Sequence, residues 1–476
     1  MRKYYLILFL SLFWKNFYSQ EQAGIAGSTR APLNTLFSNP SSIVDSRAFL
    51  EVNLIGANVF ARNNLVFIPS EFTRISSISQ MREPGLSLGR DSYRAYADVM
   101  IHGPSVYFAI QSHSFAVFSN ARVVSDARGI DGTLATYLNE GFQHAPLMGR
   151  NHTSRNLRAH ALAWAEAGIS YGTIISRQGN MIVQGAASIK RLWGVAGIGL
   201  RIDEWSYIVR DSSTIETNVF RGEYGFNDPT SNTWNNGRGW STDLGVTWKM
   251  RKDDSDNYTP HDPCTDGDYI YRIGISLLDV GRIRFNEPTF RNVFDQSEQS
   301  EWNDFSNTQV EDGENIDSLL TTGFGAAQDN SDARPLRMFL PMGVSVQADY
   351  NVWKNVYVFG AITAGIPWLK NLGVQRASSL SVVPRFEIKR FEFSLPINLH
   401  EFRHPSMGAC IRINSILIGS DDLLGILFRR NVYGADFYFS LKYTMFKHWA
   451  CDKREKKGKP KIKRSRSFEP VPCPSW

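Results

Sequence analysis

Between Ala435 and Met445 the chain alternates without a break. Ala435, Phe437, Phe439, Leu441, Tyr443 and Met445 are apolar, and Asp436, Tyr438, Ser440, Lys442 and Thr444 between them are polar. A period of two sends successive side chains to opposite faces of an extended strand, so one face is greasy and the other is wet or charged. The run covers eleven residues, about what a tilted strand needs to cross a bilayer. Three more segments read the same way. Met338 to Tyr350 puts Met338, Leu340, Met342, Val344, Val346, Ala348 and Tyr350 on one face. Tyr269 to Leu277 sets Tyr269, Tyr271, Ile273, Ile275 and Leu277 against Arg272, Gly274 and Ser276. Phe391 to Leu399 alternates Phe391, Phe393, Leu395, Ile397 and Leu399 with Glu392, Ser394, Pro396 and Asn398.

A soluble β-sandwich also alternates. Two details favour a membrane barrel: several of these strands run past the roughly 5–6 residues of a soluble strand, and their polar faces mix Gly and Ser with isolated charges, as a crowded or watery lumen requires. Composition agrees. Apolar residues are only 42% of the chain while aromatics reach 13%, with 37 Gly, which fits alternating strands and excludes a disordered chain poor in aromatics. Helical membrane spans are excluded as well. The longest apolar uncharged stretch, Asn355 to Leu369, is too short and contains Gly360, Gly365 and Pro367.

Export is expected from the first nineteen residues, where Arg2 and Lys3 precede the apolar run Tyr4 to Trp14 and Ser19 offers a small residue at the cleavage point. The net charge of +6 is misleading. The segment 447–476 holds ten Lys/Arg against three acids, and the signal adds three more basic residues, so residues 20–446 carry a net charge of −4. The basic character belongs to a tail, and nucleic acid is not an expected partner.

Candidate strands fall at 48–61, 94–102, 105–112, 115–125, 158–176, 181–203, 238–251, 268–284, 336–351, 354–365, 379–389, 390–399, 407–419 and 433–446, fourteen in all. Short turns fit at His102-Gly103-Pro104, Arg177-Gln178-Gly179 and Lys389-Arg390. The expected architecture is therefore all-β, an antiparallel transmembrane β-barrel of about fourteen strands over residues 48–446. An N-terminal segment, 20–47, would lie in the lumen or periplasm, and a basic tail, 447–476, on the periplasmic side. Residues 62–93, 204–237 and 285–335 are polar, the last carrying eleven acids, and are expected as outer loops. Residues 126–157, with a helix expected at Gly132 to Phe142, form either a loop or a piece folded into the lumen.

At the start of the mature chain, Asn34-Thr35-Leu36-Phe37-Ser38-Asn39-Pro40-Ser41-Ser42-Ile43-Val44-Asp45-Ser46-Arg47 leads into the strand Phe49 to Phe60. Together with Trp164 to Gly172, Tyr271 to Gly281 and Leu340 to Tyr350, this resembles an uncharacterised family of Bacteroidota outer-membrane β-barrels. That family is itself distantly similar to long-chain fatty-acid transporters and to barrels associated with gliding and type IX secretion. Ser41 stands where the family usually has Ala. The resemblance implies fold and outer-membrane location, supplies no activity, and leaves the tail uncovered.

Candidate sites follow from the polar faces. Arg272, Arg385, Glu387, Lys389, Glu392, Asp436 and Lys442 are expected to face the lumen. There they either select solutes by charge or pair into a network that fills the barrel; pairing is favoured because both signs sit on neighbouring strands. In the tail, Lys453, Arg454, Lys456, Lys457, Lys459, Lys461, Lys463, Arg464 and Arg466 offer a surface for anionic lipid, cell-wall polymer or an acidic envelope protein. Cys451 and Cys473 bracket that tail, and a bridge between them is the preferred one of three pairings of the four cysteines.

Catalysis has little support. Ser87 and Ser170 sit in Gly-x-Ser-x-Gly strings without the strand-to-helix turn a hydrolase needs. The acids at 253–268 lack a terminal bidentate Glu at calcium-loop spacing, and the histidines lack zinc spacing. No enzyme, cofactor or metal is expected. Two roles remain: a passive conduit or binding site for small or apolar molecules, with outer-membrane lipid around it, or a non-transporting scaffold in an envelope complex docking through the tail.

Overall fold

The computed structural model describes residues 22–72, 85–140, 144–227, 236–252, 269–286, 289–303, 336–367, 371–428 and 430–446. The basic tail, Cys451, Cys473 and the acidic segment 253–268 lie outside the described residues.

Fourteen antiparallel strands form one closed sheet. They are β1 (Leu50–Asn63), β2 (Ser92–His102 with Ser105–Ile110), β3 (His113–Asp131), β4 (Asn151–Gln178), β5 (Met181–Val209) and β6 (Ile215–Asn227 with Gly237–Arg251). β7 is Tyr269–Phe285 continued by Thr289–Gln296 and Ser300–Trp302, β8 is Arg337–Phe339 with Gly343–Trp353, β9 is Val356–Gly365 and β10 is Ser379–Glu387. β11 (Phe391–Ser394 with Ile397–His400), β12 (His404–Met407 with Ala409–Ile413), β13 (Ile416–Ser420) and β14 (Gly434–Met445) complete the ring. Closure is by β1 on β14, paired from Leu50↔Met445 to Arg62↔Gly434, so no sheet edge is left to be satisfied in hydrocarbon.

The alternation behaves as read in β14. Asp436, Tyr438, Ser440 and Lys442 are buried while Phe437 and Tyr443 are about half exposed on the outside. Outward apolar residues such as Ile189, Leu244, Val346, Ile362 and Ile397 continue this band around the wall.

Four sequence expectations need correction. His102-Gly103-Pro104 is not a turn: the segments on either side of it pair with β1 in one continuous register, Gly56↔His102 followed by Asn53↔Ser105. Proline only removes a ladder donor there. Conversely 407–419 is two strands, because Asn414, at a positive φ of 48°, turns the chain back. The two errors offset each other in the strand count. In β8 the outward face is not continuous, since Met338 and Leu340 are fully buried whereas Val346 and Tyr350 are exposed. Pro341 breaks the strand between them and shifts the phase by one residue.

The fourth correction concerns the outer loops. β4 and β5 run for 28 and 29 residues, and Ile215–Asn227 and Thr289–Gln296 extend them within segments expected to be loops. The prohibition on polar segments applies only inside hydrocarbon. Beyond it the mixed charges pair across strands, as Arg221 with Asp295 at 3.0 Å and Arg291 with Glu223 at 2.6 Å. These long strands form a lobe with its own aromatic core of Trp205, Tyr207, Phe220, Tyr224, Phe226 and Phe294. The helix Gly132–Glu140 packs on that core through Leu134 and Tyr137.

Candidate functional site

A barrel of eight strands is just filled by its own side chains, and one of sixteen leaves a water channel. Fourteen strands therefore enclose more room than inward side chains occupy, and the chain itself fills it twice.

The first filler is the N-terminal segment, residues 22–49. It is folded as single-turn helices Ala23–Ala26 and Pro32–Thr35 and a 3-10 turn Pro40–Asp45. Prolines at the first helical positions pre-set φ without losing a needed donor. Asn39 caps the last turn: its Oδ1 accepts from the Ser41 amide at 3.0 Å and from Ser41 Oγ at 2.7 Å. Its Nδ2 lies 3.4 Å from both Thr247 Oγ1 and Gln347 Oε1 on the wall. The wall is cut to receive it. A Cβ on Gly245 would fall 2.2 Å from Asn39 Oδ1, and one on Gly274 would fall 2.5 Å from Asn39 Nδ2. On one side the plug is apolar, with Leu33, Leu36, Ile43, Val44 and Ala48 against Tyr107, Ala116 and Phe118.

Elsewhere the plug meets charge. Asp45 pairs with Lys249 and, at 3.1 Å, with Arg272. Burial pushes the Asp45 carboxyl up, but Lys249 and Arg272 reverse this and hold it below the ordinary carboxylate range. Arg272 also donates to the Gly27 carbonyl and pairs with Asp349 at 2.8 Å. Glu387 accepts from Thr29 Oγ1 and pairs with Arg30 at 3.3 Å, and Glu392 accepts from Ser28 at 2.8 Å while Arg412 pairs with it at 3.0 Å. Lys442 donates to Asn34 Oδ1 at 2.7 Å and pairs with Glu51 at 3.3 Å. Asp421, whose amide donates to Asp436, accepts from the amides of Ala23 at 2.7 Å and Gly24 at 3.2 Å.

Six of the seven lumen candidates are thus buried on the inner wall, among them Arg385, which bridges Asp349 at 2.8 Å and Glu387 at 3.1 Å. Lys389 is not among them. It is exposed in the turn after β10, because the alternation stops at Glu387 and the chain reverses there. Asp45, Lys249, Glu51 and Asp421 are network members that the sequence reading missed. Asp349 lay on the polar face of an identified strand and was findable.

The second filler is the segment 371–378 between β9 and β10. Leu372, Val374 and Ala377 join Trp164, Phe285, Leu336, Met338 and Leu340 in an apolar cluster inside the ring. Its Arg376 reaches Asp279 and donates from Nε to the Pro341 carbonyl at 3.0 Å. Asp279 stands at a β-bulge with a positive φ of 54°, which re-aims its side chain inward beside the buried Leu278. There it also pairs with Arg122 at 2.8 Å and with Lys190, which reaches Asp243 at 2.8 Å.

Between the two fillers remains a cavity of about 40 Å³, lined by Gln22, Phe37, Asn58, His102, Asp243 and Asp279 among others. A water needs at least ~10–15 Å³, whereas a cavity that binds benzene is nearer ~150 Å³. The space suits a few waters and is too small for an organic solute. Ser170 lies mid-strand on the inner wall with Ser188 Oγ 3.0 Å away. Among the described residues no group of three or more His, Cys, Asp or Glu is placed to hold a metal.

A family model described as "Family of unknown function (DUF5723)" matches residues 40–421. No curated protein matches the chain. Among solved structures, a TodX mutant described as a monoaromatic hydrocarbon channel is similar with 9% identity and a TM-score of 0.39, over 90% of this chain and 99% of that one. The Ralstonia pickettii toluene transporter TbuX is similar at 7% identity and a TM-score of 0.35, over 88% and 93%. A Pseudomonas aeruginosa FadL homologue is similar at 8% identity and a TM-score of 0.29, over 91% and 100%.

Proposed function

Because this chain belongs to the DUF5723 family, whose function is unknown, its role has to be reasoned from its own lumen, and we propose that it is a gated passive conduit for small molecules across the outer membrane. The observation that carries this reading is the plug. The lumen is filled by two segments added to the wall's own side chains, and the N-terminal one is held by hydrogen bonds and ion pairs beside one apolar face. Such contacts can exchange for water, the neutral ones worth about 0.5–1.5 kcal/mol net each and those to charged groups about 1.5–3 kcal/mol, and none of them belongs to the ladder of the ring, so a path can open without disturbing it. Both ends of the barrel sequence lie at one rim, where the Phe49 amide donates to the Met445 carbonyl at 2.8 Å. That rim also carries short turns such as Gly179-Asn180 and Asn414-Ser415, as the periplasmic side of such barrels does.

The test is a cross-link between plug and wall. Ser41 Oγ in the plug and Thr247 Oγ1 on the wall lie 2.6 Å apart, so Ser41→Cys with Thr247→Cys brings two thiols close together. Proteoliposomes holding this variant should admit a small sugar when reduced and exclude it when oxidised. Equal uptake in both states, or none in either, would remove the gate from the proposal, and the solute that enters identifies the cargo class.

A further inference from the structure

On the outer face of four adjacent strands, β5 to β8, the ladder aligns two rows of residues. One runs Trp193–Arg238–Arg284–Arg337 and the next Arg191–Trp240–Arg282–Phe339. Five guanidinium groups and three aromatic rings thus occupy one contiguous patch. Arg238, Arg282, Arg284 and Arg337 are exposed, Arg191 is half-buried, and Trp240 is 59% exposed. Arg191 lies over the Trp240 ring at 5.0 Å and Arg282 over the Phe339 ring at 5.9 Å. Among the described residues none of the five is ion-paired. The outward strand positions of β9 to β14 on the opposite wall carry no charge, so the patch is local.

Its height is informative. Arg191 and Trp193 follow the Gly179-Asn180 turn by some eleven to thirteen residues, which for a tilted strand is roughly 30 Å above that rim. The apolar band of such barrels is about 25 Å tall. The patch therefore stands at the outer interface, where aromatic residues usually sit, and directly below it are outward Leu244, Trp248, Ile273, Ile275 and Val346. Arginine facing hydrocarbon is costly, whereas arginine at headgroup level is available to pair a phosphate in a two-pronged geometry.

We propose that this patch is a docking site for the phosphate-bearing headgroup of an anionic lipid of the outer leaflet, with the acyl chains lying on the apolar strand surface beneath. The arginines supply the charge complement that no described carboxylate provides. The Trp240 and Phe339 rings carry the Arg191 and Arg282 guanidinium groups, and the lipid is retained as a ring component at one side of the barrel.

The experiment is native mass spectrometry of the full chain extracted from outer membranes in mild detergent. It is repeated with Arg238→Ala, Arg284→Ala and Arg337→Ala together, with heat-modifiable gel migration confirming a folded barrel. At about a fivefold loss for each surface arginine, the triple variant should retain anionic lipid roughly a hundredfold less, with zwitterionic lipid unaffected. Inorganic phosphate added in excess should displace little of the bound lipid, since it lacks the acyl contacts. Equal retention in the two proteins would overturn the assignment. So would complete displacement by inorganic phosphate, which would mark a free-anion site, or a native protein without lipid whose patch is covered by the acidic 285–335 segment.

Discussion

Replacing Gly245 by valine separates the plug from the wall more cleanly than any change in the plug itself. Valine suits a strand, and the three atoms nearest to its first side-chain carbon all belong to the plug: Asn39 Oδ1 at 2.2 Å, the Ser41 amide at 2.9 Å and Pro40 Cδ at 3.1 Å. Real side chains do not tolerate such distances, so Asn39 must withdraw. Overpacking costs about 1–3 kcal/mol, and the hydrogen bonds from Asn39 Nδ2 to Thr247 and Gln347 contribute about 1 kcal/mol between them at their long 3.4 Å separation. Docking of the plug should weaken by roughly 2–4 kcal/mol, or between ~30- and ~1,000-fold in the undocked population. The assay is amide hydrogen exchange over residues 32–45 in detergent, with strands β4 and β10 as internal references. Exchange in the plug should accelerate by about two orders of magnitude while the strands keep their protection. A barrel that folds with valine at 245 and leaves plug exchange unchanged would refute the claim that Asn39 is seated in that notch.

Three other outcomes follow from the same contacts. Asp45 has a carboxyl held below the ordinary range, so its contribution to docking is complete above about pH 4 and lost only as the pH falls through its lower folded value; the plug's protection, taken relative to the intrinsic amide exchange rate at each pH, should be flat from pH 8 to about 5, and Asp45→Asn should lower it throughout. Arg376→Ala removes a partner of Asp279 and the bond to the Pro341 carbonyl, and should loosen residues 371–378, read as new protease cleavage there in intact cells with the plug still protected. Phe220→Ala empties a fully buried position in the outer lobe and should cost about 3–5 kcal/mol; protection should vanish over Ile215–Asn227 while the membrane ring still migrates as folded.

Period-two alternation made the ring legible because lipid imposes one requirement on every second residue, and Asp436, Ser440 and Lys442 face inward as that rule demands. It failed where the backbone breaks phase without leaving the sheet. Gly103-Pro104 interrupts β2 without turning it, and Pro341 moves Met338 and Leu340 from the outside to the core. The rule was also silent above the membrane, where strands carrying Glu216, Arg221 and Glu223 pair in water and look like loops. The fillers were hardest to see. Asp45 finds Lys249 and Arg272 more than two hundred residues away, and Arg376 lies in a segment with no periodicity at all. The outer arginine patch exists only once four strands are in register.

Conductance of single molecules in a planar bilayer bears most directly on the claim that a folded N-terminal plug closes this barrel. The full chain should be nearly silent, with rare brief openings, and a chain lacking residues 22–44 but still inserting as a folded barrel should conduct for most of the record. A full chain that conducts steadily, at the same level as the shortened one, would contradict the account.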